Sequence, residues 1–203
     1  MMIAPISIVP PIALLKAACQ SGTWNIEWYE NYQKQSIRNR YHILSPNGIQ
    51  TLTVGIVGQK GQKIPTPQIK INHSKGWLRD HLRSIKTAYG SSPFFEYYME
   101  DIEELLSYPA QTMGDFHKKS VSTWIDLLQI SPEIAYSKSF NPDFQGIDFR
   151  QRIKTNEQSL GIPLPPYVQV FNDRFDFVPN LSVVDLLFNL GPESGSYLKG
   201  VFD

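Results

Sequence analysis

Apolar and polar positions along this chain fall into patterns that locate most of its elements. Ile3–Val9 is a short, apolar, β-branched run with the length of a buried strand. Pro11 suits a first helical turn, and Ile12, Leu14, Leu15 and Ala18 continue as a short helix that stops near Ser21-Gly22. Trp24–Tyr29 alternates like a second strand. Strand, helix and strand in so short a span predict a βαβ start with a parallel pair. Tyr41 and Ile43, then Ile49, Leu52, Val54 and Ile56, make the arms of a hairpin around Ser45-Pro46-Asn47-Gly48. Asn47-Gly48 supplies residues that tolerate positive φ. Gly58–Gly61 and Pro65-Thr66-Pro67 read as loop, and Gln68–Asn72 as a short strand.

Helical spacing returns at Trp77, Leu78, His81, Leu82, Ile85 and Tyr89, which predicts a helix over Gly76–Tyr89. Ser92-Pro93 reads as a cap with a first-turn proline, opening a helix to about Ser107. That helix is aromatic in its first half and acidic in its second. Asp115 is placed to cap a third helix, with Val121, Trp124, Ile125, Leu127 and Leu128 facing the core. Glu133–Ser137 is a weak strand, 141–154 is loop-like, and Gly161–Pro166 is a proline-rich connector. Tyr167–Phe171 alternates as a strand. Asn180 or Ser182 caps a final helix carrying Val184, Leu187, Phe188 and Leu190. The expected class is α+β or mixed α/β: one domain over residues 1–203, with a small mixed sheet, a β-hairpin and three to four covering helices.

Composition adjusts this picture little. The chain has 203 residues, 41% apolar and 19% charged, so it can bury an ordinary core. One cysteine, Cys19, excludes an intrachain disulfide framework and a cysteine-rich zinc site, and fits a reducing compartment. No apolar run has the length of a membrane span. The N-terminal stretch lacks a basic start, carries Pro10-Pro11, and has Lys16 within its apolar run. It therefore reads as part of the fold, and a cytoplasmic location is expected.

Charge changes the picture more. The net charge of zero is a cancellation: residues 31–90 carry +9, residues 91–203 carry −8, and residues 1–30 carry −1. Such asymmetry marks either a face for an anion or two halves that pair with each other. A cationic stretch opens Asn31–Ile56, where Lys34, Arg38 and Arg40 interleave with Tyr32, Gln33, Gln35 and Asn39 without an acid among them. An arginine fork grips phosphate or carboxylate in two parallel hydrogen bonds. If 38–42 is extended, Arg38 and Arg40 share one face and can converge on one anion. Otherwise they lie on a solvated edge or pair with acids of the C-terminal half.

His81 is the acid/base candidate, since a histidine beside Trp77 and Ile85 on a helix face can work near neutral pH. It can equally be a core histidine held by a backbone carbonyl. Asp185 and Asn189, four apart on an apolar helix, need partners if buried. The set expected to contact substrate is Tyr32, Gln33, Lys34, Arg38, Asn39, Arg40, Tyr89 and Asp185. His42, His73, His81 and His117 lack paired ligand spacing, so no metal is expected. No phosphate loop ends the glycines of 55–61, no nucleophile elbow is present, and no cofactor is expected. Neutral overall charge and the lack of a binding motif argue against nucleic acid. Oligomeric state is not legible.

Taken in order, NYQKQSIRNRYHILSPNG before an apolar strand, WLRDHLRSIKTAYGSSPFFEYY, and YVQVFNDRFDFVPNLSVVDLLFNLGPES resemble the WbqC-like protein family. The resemblance covers most of the chain. It matches Arg38, Asn39 and Arg40 to a basic motif, Trp77, His81 and Tyr89 to a tryptophan-histidine-tyrosine helix, and Ser92, Pro93 and Phe95 to the start of the next helix. It implies an enzyme of bacterial surface-polysaccharide (O-antigen) or sugar metabolism. The implied activity is that of a transferase acting on an anionic, sugar or nucleotide-linked substrate. The alternative is a non-catalytic binding or scaffold protein that presents its basic face to an acidic partner. Many members carry a histidine ahead of an N-terminal proline and aromatic motif, where this chain reads Ile8-Val9-Pro10-Pro11.

Overall fold

A computed structural model of the protein describes residues 1–58, 61, 63–152 and 161–201, without the side chains of Lys75, Gln151 and Arg152. Gln59 and Lys60 of the expected loop at 58–61, and the last residues of the loop-like 141–154, lie outside the described residues. The fold is α+β, a parallel sheet beside a separate antiparallel hairpin.

Strand β1 (Met2–Pro5), helix α1 (Ile12–Ser21) and strand β2 (Thr23–Glu27) form the predicted βαβ unit. The strands pair in parallel, Ile3 opposite Asn25. α1 is buried on seven consecutive residues, Ile12 to Ala18, because the sheet covers one side of it and the C-terminal helix covers the other. Gly22 ends it in the left-handed region at φ 71°.

β3 (Arg40–Ser45) and β4 (Gly48–Thr53) make the hairpin in the register Tyr41–Leu52 and Ile43–Gln50. Asn47 does not take the positive φ expected of it. Pro46, with its φ held near −65°, rules out a turn with two left-handed residues, so the positive φ falls on Gly48 alone, at 97°.

α2 (Trp77–Tyr89), α3 (Phe95–Ser107) and α4 (Met113–Leu128) follow. Two caps differ from expectation. Thr112, not Asp115, is the N-cap of α4, and Asp115 closes a reciprocal capping box with it. Ser92 turns its hydroxyl back to the Tyr89 carbonyl at 2.7 Å rather than capping α3.

β5 (Glu133–Tyr136) and β6 (Ile147–Asp148) complete a sheet ordered β5-β2-β1-β6, parallel throughout. The chain continues through α5 (Phe149–Arg152), α6 (Val183–Leu190) and α7 (Ser194–Lys199).

Two expected strands are absent. Thr66–Gln68 is a 3-10 turn, and Lys70 and Ile71 make only single bridges, to Thr112 and Ile56. Tyr167–Phe171 keeps the alternation, with Tyr167 and Gln169 buried and Val168 exposed, but pairs with no strand among the described residues. The Gln169 side-chain amide takes the partner's place. Its Nε2 donates to the Val178 carbonyl at 3.0 Å and its Oε1 accepts from the Val178 N–H at 2.9 Å.

Candidate functional site

Open sheets of parallel strands bind ligands outside the carboxyl ends of those strands. Here β1 runs out into Ser7, β2 ends at Glu27, β5 runs out into Ser137, and β6 ends at Asp148 just before Arg150. Glu27 is fully buried; one oxygen accepts from the Tyr29 N–H at 2.9 Å and the Ser137 hydroxyl at 2.7 Å. Its other oxygen accepts from Arg150 at 3.0 Å. Arg150 also grips Asp148, at 2.7 Å from Nη2, and its guanidinium stands 5.2 Å from the centre of the Phe140 ring. The hydrogen bond to Asp148 leads the interactions that hold this guanidinium protonated, against its burial.

A second pair adjoins the first. Arg38 meets Glu30 with its fork, Nε to Oε1 at 2.8 Å and Nη2 to Oε2 at 2.5 Å, and Nη2 reaches the Arg150 carbonyl at 3.3 Å. Burial raises the pKa of the Glu30 carboxyl and Arg38 draws it back down. Three carboxylates and two guanidinium groups therefore lie in contact beneath the loop after β2. Burying such charges is tolerable only when each is paired and hydrogen-bonded.

Aromatic rings cover this edge. Trp28 and Tyr136, both half-buried, meet edge to face with centroids 4.9 Å apart. Trp28 and the exposed Tyr29 line a cavity of about 490 Å³ with Pro65, Pro67 and the first turn of α4. α4 comes this close because Gly114 has no side chain: a Cβ there would sit 2.9 Å from the Pro67 Cβ.

Behind Trp28 and Tyr136 lies His117, fully buried, its ring centroid 6.4 Å from Trp28, 6.3 Å from Tyr136 and 6.2 Å from Trp24. Its Nδ1 is 2.9 Å from the Ser7 carbonyl oxygen and 3.4 Å from the Ser7 nitrogen. From the shorter contact we assign the proton to Nδ1, donated to the carbonyl, which leaves a lone pair on Nε2. Among the described residues Nε2 has no hydrogen-bond partner, and neither does Nε1 of Trp24. Burial pushes the ring's pKa down to about 4. His117, Ser120 and Trp124 lie along one face of α4 and all bond the backbone of Ser7 or Ile8. That face fixes the segment that leads into Val9-Pro10-Pro11.

The residues expected from the sequence separate into three groups. Arg38, Asn39, Arg40, Tyr32, Gln33 and Lys34 share the loop after β2 and the start of β3. Tyr32 donates to the Asn39 side chain at 2.8 Å, and Asn39 donates to the Val54 carbonyl at 2.9 Å. The two arginines do not converge on an anion. Residues 37–39 form a turn rather than a strand, and the Arg38 fork is filled by Glu30. Arg40 stays partly exposed, and Lys34 is exposed. His81 lies elsewhere, buried between the hairpin and α2. Tyr41 Oη is 2.9 Å from its Nδ1, the Thr53 backbone hydrogen-bonds the ring, and Trp77 packs at 5.0 Å.

Tyr89 and Asp185 form the third group. Tyr89 donates to Asp185 at 2.8 Å and accepts from the Leu44 N–H at 3.1 Å. Tyr167 and Gln169 complete the carboxylate's partners at 2.5 and 2.9 Å. Burial raises the pKa of Asp185 against these three donors. Asn180 does not cap α6; its side chain accepts from the Ala13 N–H at 2.9 Å, in the first turn of α1.

Glu27, Glu30, Arg150 and His117 were not among the candidates. A signal existed for His117, which lies four residues before Val121 and seven before Trp124, on the apolar face predicted for α4. Nothing local marks Arg150. Among the described residues no cluster of three or more His, Cys, Asp or Glu side chains could hold a metal ion, and no helix is long and apolar enough to cross a membrane.

Comparison with known proteins gives one match. The model of the WbqC-like protein family covers residues 7–161, well over half the chain. No curated protein and no solved structure matches it.

Proposed function

The chain belongs to the WbqC-like protein family, and from that premise we propose that it is a transferase of bacterial surface-polysaccharide or sugar metabolism. Its substrate is a sugar carrying a phosphate or nucleotide, bound at the carboxyl edge of the parallel sheet, with residues 1–203 working as one domain. The observation that carries this reading is the largely buried Glu27–Arg150–Asp148 and Glu30–Arg38 cluster, which holds through Glu27 the backbone of the loop that carries Trp28 and Tyr29. A sugar offers C–H faces that lie on aromatic rings and hydroxyls that need fixed polar partners. The ion pairs hold the loop after β2 in one conformation, so its rings and polar groups are set before the ligand arrives.

Each residue then has a role. Trp28 and Tyr29 take the sugar, and Tyr32, Gln33 and Asn39 orient it. Lys34 and Arg40, on the solvent side of the same loop, take the phosphate. Arg38 positions rather than binds, because its Nε and Nη2 are engaged by Glu30 and the Arg150 carbonyl.

Calorimetry with uridine diphosphate sugars, against uridine diphosphate and a sugar phosphate alone, tests this. Trp28→Ala and Arg40→Ala should each weaken binding by about tenfold or more, about 1.4 kcal/mol. Absence of binding by all three probes would overturn it.

A second reading has its own observation. Arg79, Arg83 and Lys86 are exposed on α2 and stand clear of this edge, which suits a scaffold offering a basic face to an acidic protein. Capture of an acidic partner that survives Trp28→Ala and fails with α2 charge reversal favours that reading.

A further inference from the structure

We propose that His117, through Nε2, is the general base of this site, accepting the proton of the acceptor hydroxyl during transfer. The proposal rests on the reading above and adds the group that does the chemistry.

The warrant is a pair of orphans. Fully buried polar atoms nearly always find partners, and each exception needs a reason. Two of the few exceptions among the described residues sit on adjoining rings, Nε2 of His117 and Nε1 of Trp24, with centroids 6.2 Å apart. With the Nδ1 proton given to the Ser7 carbonyl, Nε2 is an acceptor. The indole N–H of Trp24 is a donor only. A hydroxyl group donates and accepts at once, which is the chemistry both atoms lack. An amine cation or a carboxylate satisfies one of them and repels the other.

Position agrees. His117 lies one layer of rings beneath the surface, and that layer consists of Trp28 and Tyr136, both partly exposed. Trp28 also walls the cavity of about 490 Å³ in which the sugar is placed. Trp28 is the ring the two share, packed against His117 and walling the cavity, and the proposal requires its side chain to swing aside and admit the acceptor hydroxyl to Nε2. Lys118, its ammonium 5.2 Å from the Trp28 ring, holds the ring from the outer side. The groups facing His117 are uncharged apart from Lys118: the Ser7 backbone after β1, Trp24 and Trp28 on and after β2, and Tyr136 of β5. Burial leads, with Lys118 assisting, in keeping the imidazole unprotonated, the form a base requires.

The step balances without a further reactant. The acceptor oxygen forms a bond to the sugar carbon that carries the phosphate, and its proton passes to Nε2. The carbon–oxygen bond to the phosphate breaks, and its electron pair leaves with the nucleotide diphosphate. The imidazolium then returns its proton to the departing phosphate or to solvent.

The test uses the full chain with uridine diphosphate sugars as donors and simple glycosides as acceptors. His117→Gln should lower kcat by about a hundredfold or more with KM within about threefold, while His81→Gln leaves kcat within about threefold. If His117→Gln does not fold, histidine-labelled wild-type protein gives a second readout, the ¹⁵N resonance of His117 Nε2. That resonance should move when the glycoside is added with uridine diphosphate present. Sugar nucleotides that bind while Nε2 does not respond, or a folded His117→Gln with normal kcat, overturn this proposal and leave the substrate reading standing. No binding by any probe overturns both.

Discussion

Two histidines lie buried in this protein, and burial pushes both to a pKa of about 4. His81 sits between the hairpin and α2, where Tyr41 takes one side of the ring and the Thr53 backbone takes another contact. His117 sits behind the sheet edge with Nδ1 on Ser7 and nothing on Nε2. A satisfied buried histidine is a packing element with polar glue. One with a free lone pair under a thin layer of rings keeps a valence for something else. Solvation alone does not separate the two; the count of partners does.

The same contrast extends to their neighbours. The sheet edge buries opposite charges, whereas the hairpin–α2–α6 seam surrounds one carboxyl, Asp185, with neutral donors. Removing one member of a charged pair strands a buried charge. Glu30→Leu should therefore destabilise the protein by about 3–5 kcal/mol, and Glu30→Leu with Arg38→Met should recover most of the loss. Tyr89→Phe, which orphans one hydrogen bond to Asp185 and the Leu44 N–H, should lose only about 1–3 kcal/mol. Urea denaturation compares them, and an equal loss at the two places would erase the distinction.

Acid tests the histidines together. Folded, each binds its proton less readily than the ordinary value of 6.5 allows. Between pH 6.5 and about 4 the unfolded chain therefore carries more protons, and stability falls as pH falls. Each contributes about 3 kcal/mol across that window, at about 1.4 kcal/mol per pH unit. Glu30 and Asp185, with raised values, act in the opposite sense: their contribution is present at low pH and lost as pH rises through their folded values. His81→Phe and His117→Phe should each flatten the acid loss, measured as denaturation midpoints from pH 7 to pH 4. A slope unchanged by either would show that its ring titrates as if exposed.

At neutral pH the two should part. His81→Phe strands the buried Tyr41 hydroxyl and should lose about 2 kcal/mol. His117→Phe strands the Ser7 carbonyl in the same way, but it also removes the Nε2 that was buried without a partner, so its net loss should be smaller. The reverse order would place the free valence on the wrong ring. The smallest effect lies away from both: Asn180→Ala removes the side chain that caps α1 and should lose about 1 kcal/mol, read as a drop in Tm.

Much of the fold was legible because it is written locally. Period-two and period-3.6 patterns place β1, α1, β2, the hairpin and α2 to α4 close to where they lie, and the shortness of β1–α1–β2 leaves a parallel pair as its natural arrangement. Tyr167–Phe171 carries the same alternation and is not a strand, because a strand also needs a partner and Gln169 supplied a side chain instead. Asn180 has the chemistry of a cap, but the N–H it caps is that of Ala13 in α1, 167 residues away.

The site divides along the same line. The cationic loop was visible as charge, and Asp185 was visible as a polar residue that needed partners. That Arg38 would spend its fork on Glu30, that Arg150 would reach Glu27 from 123 residues away, and that His117 would lack a partner at Nε2 are decided only when distant segments meet. The sequence alone determined which residues are apolar, charged or able to turn, since those properties and their spacing are local. The tertiary structure decided which polar groups are paired and which are left open, because a partner is defined by distance in space and not along the chain.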